Sequence, residues 1–154
     1  MKTQPTLLNG LLRAATLVLL FGMTASAAWA DEFKLEAQLI WGANTQTSPD
    51  PKHKPVEEAV AKRLKQLPFK WTHYFEVNRK RFAVTQAEAT RVKMSDECEI
   101  AVRRVDKDVL EVVLFGKGRQ VSKIKQALPK KEMLVLAGEA PDFTAWFVML
   151  KQAD

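Results

Sequence analysis

From residue 33 onward the chain is written in a period of two. In FKLEAQLIW, residues 33–41, apolar side chains fall at Phe33, Leu35, Ala37, Leu39 and Trp41, with Lys34, Glu36 and Gln38 between them. Successive side chains of an extended chain point to opposite faces, so such a run buries one face of a strand and matches no helical stripe. The same period returns in run after run. Residues 69–77 place Phe69, Trp71, His73, Phe75 and Val77 on one face and Lys70, Thr72, Tyr74 and Glu76 on the other. Asn78, Arg79 and Lys80 then have the polar composition of a turn, and residues 81–85 return as a second strand with Phe82 and Val84 inward. Further strands are predicted over 90–94, 98–103, 109–115, 133–137 and 143–150. Gly116-Lys117-Gly118 has the composition of a hairpin turn. Residues 119–127 fit either a strand or a short helix, because Val121, Ile124 and Leu128 stand near helical spacing.

One segment breaks the pattern. Residues 42–54 are polar and carry the prolines of PDP, so they form a loop. Pro55 follows, at a position where a helix loses nothing from a missing N–H. Glu57 and Glu58 then precede Lys62, Arg63 and Lys65, the charge order that suits a helix dipole. Val56, Val60, Leu64 and Leu67 share one face, and Pro68 ends the segment. The expected fold is therefore mainly β. It is an antiparallel sandwich or open barrel of about eight or nine short strands, with one amphipathic helix near residues 55–67.

Residues 1–30 are of another kind. Lys2 and Arg13 precede an apolar run over 14–23, and Ala28-Trp29-Ala30 closes the segment. A charged start, an apolar middle and a small-residue cleavage site make a secretory signal peptide. The apolar run falls short of the roughly 20 residues that span a bilayer. The expectation is a cleaved leader over 1–30 and one β-rich domain over 31–154, exported to the periplasm or beyond. No stable membrane anchor is expected after cleavage.

Without Lys2 and Arg13 the remainder carries 22 Lys and Arg against 18 Asp and Glu, a net of +4. That mild excess suits a protein meeting anionic envelope components, and it falls short of a nucleic-acid binder's balance. No nucleic-acid partner is expected. Cys98 is the single cysteine, so no intramolecular disulfide staples the fold.

The search for chemistry returns little. His53 lies in the polar loop, and His73 lies on the apolar face of the 69–77 run. No HxH, HxxxH or CxxC spacing is present, so neither a metal nor a cofactor site is expected. Cys98 takes an inward place beside Ile100 and Val102, as a structural cysteine would. The cluster Ser95-Asp96-Glu97 lacks the ordered spacing of a calcium loop, and FGKGRQ lacks the pattern of a phosphate loop. Trp41, Trp71 and Trp146 sit in alternating runs, where core packing comes first and a rim position would stack on a sugar ring.

Two functional expectations follow. The first is an exported, non-enzymatic binding or accessory domain of the cell envelope. It would contact a partner protein or an anionic polymer through a patch of Tyr74, Arg79, Lys80 and Arg81. The alternative is a small hydrolase-like exported enzyme whose dispersed site forms around His73 and Cys98. A third possibility, an assembly subunit that adds a strand to a partner's sheet, would show itself by a long uncharged edge strand. The lysines of 119–127 argue against that edge.

Overall fold

The computed structural model describes residues 32–140 and 143–154; the expected leader lies outside them. Among the described residues nine strands and one helix follow one another in the order β1 (Phe33–Ala43), β2 (Lys54–Pro55), α1 (Glu58–Lys65), β3 (His73–Val84), β4 (Thr90–Lys93), β5 (Cys98–Arg104), β6 (Val109–Gly116), β7 (Arg119–Ala127), β8 (Met133–Glu139) and β9 (Ala145–Gln152). They form two antiparallel sheets, of order β2-β3-β1-β9-β8 and β4-β5-β6-β7. Between the two expected architectures the chain adopts the sandwich. No helix among the described residues is long and apolar enough to cross a membrane.

β1 is the centre of the five-stranded sheet, and both of its faces are covered. Its inward residues Leu35, Ala37 and Leu39 meet Ile100, Val102, Val112 and Leu114 of the four-stranded sheet in the inter-sheet core. Its outward residue Ile40 joins Tyr74, Phe147 and Met149 beneath Val60 and Leu64 of α1. The helix thus makes a third layer. It is shorter than expected: Pro55 belongs to β2, opposite Phe75, and Gln66 caps the last turn. Leu64 is fully buried there, so Leu64→Ala would cost about 2–4 kcal/mol and loosen the helix from the sheet.

Two bulges explain where the periodic pattern misleads. β3 is one continuous strand; the expected turn at Asn78-Arg79-Lys80 does not exist. Leu39 pairs with Asn78 but Ile40 pairs with Glu76, which leaves Val77 as an extra residue. A bulge shifts the alternation by one place. Phe75 on one side of it and Phe82 on the other therefore reach the same face, although they are seven apart. In the same way Leu114 pairs with Ser122 and Phe115 with Gln120, so Val121 is extra in β7. The apparent helical spacing from Val121 to Ile124 is strand alternation with one inserted residue. The turn before β7 is as expected: Lys117 and Gly118 have φ of 51° and 75°, the pair of left-handed residues a two-residue hairpin requires.

Candidate functional site

The four residues of the expected contact patch do not share one exposed face. Tyr74 faces the helix, not solvent, and is buried against Phe147 with ring centroids 5.8 Å apart. Burial pushes its phenol pKa up. The alternation puts it on the face away from Phe75, and α1 and Phe69 cover that face as well. Arg79 is the hub of an ion network on that same outer face. Its Nη2 donates to Glu57 Oε1 and Glu76 Oε2, each at 2.6 Å, and its Nη1 to Glu36 Oε1 at 3.2 Å. With its amide oxygen turned toward the guanidinium, Gln38 accepts from the same group. The hydrogen bond to Glu76, opposed by burial and aided by Glu57, raises the pKa of Arg79.

Glu36, with a side chain only 1% exposed, also accepts from Arg81 Nε at 2.8 Å and pairs with Lys151 Nζ at 3.2 Å. Burial alone would raise its pKa. Hydrogen bonds from Arg81 and Lys151 and the charges of Lys151 and Arg79 outweigh burial and hold it below the ordinary value. The network sets Glu36, Glu57 and Glu76 against Arg79, Arg81 and Lys151, so its charges cancel. Lys80 is exposed but opposes Ala37, on the other face of β3 from its two neighbours. The four residues therefore divide among core, network and the opposite pleat.

The enzymatic alternative gains no geometry. The His73 ring contacts the Thr72 hydroxyl at 2.9 Å, at the start of β3, and takes no part in the cleft that Cys98 lines. Burial lifts the Cys98 thiol to a pKa of about 11, so at neutral pH it is protonated and a poor nucleophile. His53 does line that cleft. Its Nδ1 meets Ser48 Oγ at 2.7 Å, while Asp50 Oδ2 stands 3.7 Å from Nε2, too far for a hydrogen bond. Asp50 Oδ1 accepts from the Lys52 N–H and the Asp50 main-chain carbonyl from the His53 N–H, so the segment closes a local turn. Among the described residues no group of three or more metal-ligating side chains assembles.

What the fold does assemble is an aromatic row. On the inward face of the five-stranded sheet, at one end of the sandwich, Phe75, Trp41, Trp146 and Gly138 are cross-strand neighbours on β3, β1, β9 and β8. The Trp41 and Phe75 rings lie 5.8 Å apart, and His53 approaches Trp41 from the loop at 6.4 Å. Trp146 is seated by two glycines, one from each sheet. A Cβ on Gly138 would lie 2.2 Å from Trp146 Cζ2, and one on Gly116 would lie 3.2 Å from it. Only hydrogen at Gly138 lets the indole lie down on β8.

The two tryptophans of the row, Trp41 and Trp146, line a cleft of about 360 Å³ together with Leu39 and Val77. Trp41 and Trp146 remain half-buried there. Across the cleft stand Cys98 and Gly116 of the four-stranded sheet, and Lys117 and Glu97 form a charged pair at its rim, 3.8 Å apart. The sequence holds a trace of this site, since Trp41 and Trp146 both stand in runs read as strands. Their adjacency depends on a register between the first and last strands that no local pattern reveals. Against known proteins, the chain matches no family model, no curated protein and no solved structure.

Proposed function

We propose that the chain is an exported binding domain of the cell envelope, and that it holds a sugar ring of an anionic envelope polymer in the cleft floored by Trp41 and Trp146. The observation that carries this is the seating of Trp146. A half-buried indole held by glycines on both sheets offers a rigid apolar plate, and rings stack on such plates at little entropic cost. Hydroxyl groups of the ligand would meet the polar rim at Glu97, Lys117 and Ser95. Export rests on the leader-like composition of residues 1–30, and preference for an anionic polymer on the net charge of +4 beyond them. The protonated Cys98 and the separate place of His73 weigh against a hydrolase built on that pair.

Titration of the purified protein with soluble peptidoglycan glycan strands tests the proposal by calorimetry and tryptophan emission. Binding with a shift in emission is expected, and Trp146→Ala should weaken it at least about tenfold, the loss of roughly 1.4 kcal/mol. Equal binding by Trp146→Ala, or heat of binding without any change in emission, would refute it.

A further inference from the structure

A sheet edge is a row of unpaired N–H and C=O groups, and folded proteins guard such rows with short strands, proline, lysine or bulges. The sandwich has four edges, and three are guarded. β2 has two residues, one of them Pro55, and beyond it the same edge is β3, which carries Arg79, Lys80 and Arg81 and the bulge at Val77. β4 has four, including Arg91 and Lys93. β7 is long, but it carries Arg119, Lys123 and Lys125 and contains the bulge at Val121. β8 is the exception. Its seven residues, MLVLAGE, include no proline, lysine or arginine and are uncharged as far as Gly138. Its pairing with β9 runs from Met133 to Glu139 without a register shift, and among the described residues no strand lies on its other side. Leu134 and Leu136 are buried in the core, which holds the strand in place, while Ala137 is exposed.

The charge beside this edge is one-sided. The stretch from Arg119 to Glu132 carries Arg119, Lys123, Lys125, Lys130 and Lys131 against the single carboxylate of Glu132. Its net of +4 equals that of the whole chain beyond residue 30. This stretch is β7 and the short link from it to β8, so it leads from the edge of one sheet to the edge of the other on the same flank. Lys123 is partly answered by Glu111, 3.3 Å away. A second copy pairing β8 with β8 would bring two such stretches together, and like charges so placed repel.

From these observations we infer that the β8 edge receives an extended strand of a partner protein in which aliphatic residues alternate with carboxylates. Main-chain hydrogen bonds to β8 would supply the affinity, and the cations of the flank the choice of partner. The inference is independent of the ligand of the cleft.

The test uses a blocked peptide of nine alternating valines and glutamates, titrated into the purified protein. Binding is expected, together with slowed hydrogen exchange of β8 amides. A peptide with lysine in place of glutamate should bind at least about tenfold more weakly. So should the original peptide against Ala137→Glu, an exposed substitution that leaves the core untouched. An N-methylated peptide keeps every charge but lacks donors, and it should fail. Equal binding of the N-methylated form would reduce the effect to charge attraction and overturn the inference. So would a dimer of the protein alone whose β8 amides are already protected. Soluble glycan strands should leave peptide binding unchanged, which separates this site from the cleft.

Discussion

Gly138→Ala tests the seat of Trp146 by the addition of one methyl group. A Cβ at that position lies 2.2, 2.3 and 2.8 Å from three indole atoms, where ordinary contact begins at 3.4 Å. The indole must therefore retreat from 2.2 Å to 3.4 Å, about 1.2 Å, or leave its slot. Overpacking of this kind costs about 1–3 kcal/mol. Alanine also narrows the unfolded ensemble and returns about 0.5–1 kcal/mol. The net loss should be about 1–1.5 kcal/mol, or roughly 5 °C in Tm for a domain of this size. Thermal melts followed by circular dichroism measure the loss, and tryptophan emission reports the ring. If the indole swings outward instead, the Tm loss shrinks but the emission moves to the red. A variant with parental Tm and parental emission would show that Trp146 does not rest on Gly138. Gly118→Ala separates crowding from strain: nothing lies within 4 Å of its Cβ position, but its φ of +75° disfavours alanine. It should lower Tm with no change in emission.

Three further outcomes follow from the network and the cysteine. Arg79→Gln leaves Glu36, Glu57 and Glu76 without their shared partner and should cost about 2–3 kcal/mol in chemical denaturation, while Lys80→Gln should stay within about 0.5 kcal/mol. Because the folded pKa of Glu36 lies below its ordinary 4.5, its ionised form stabilises the fold above that pH, and the contribution disappears as the pH falls through the folded value. Glu36→Gln should lower Tm at neutral pH and flatten the acid limb of the Tm–pH curve; an unchanged limb would remove Glu36 from the network. Cys98 should react only slowly with a thiol reagent at neutral pH, because its thiol stays protonated at the wall of the cleft, and mild denaturant should accelerate the reaction.

Much of the fold was legible because the inter-sheet core obeys the period of two. Leu35, Ala37 and Leu39, then Ile100 and Val102, are inward both in the pattern and in the structure. What the pattern cannot carry is a shift of phase. The extra residue at Val77 made one long strand look like two with a turn between them, and the extra residue at Val121 made a strand resemble a helix. Polar composition at Asn78-Arg79-Lys80 strengthened the false turn. Those polar groups are satisfied at a distance: Asn78 donates to the Met94 carbonyl at 2.8 Å, and Arg79 reaches Glu36, 43 residues away. Tyr74 departs from the pattern for a related reason, since nothing in its own strand announces that a helix lies over the outer face. The aromatic row was only half legible, because a row runs across strands and a sequence runs along them. An uncharged edge, the sign of strand addition, is absent at 119–127 and present in β8 as far as Gly138.

The place of β1 has one more consequence. The first strand of the sheet lies between β3 and β9, so its partner on one side is the last strand of the chain, with Leu35 opposite Gln152 and Gly42 opposite Ala145. About 110 residues must be available before that ladder can zip, and pairings so distant in sequence form slowly. A chain of this topology cannot complete its five-stranded sheet until residues 145–152 have been made. Its central strand waits, half paired, for the segment most distant from it in sequence.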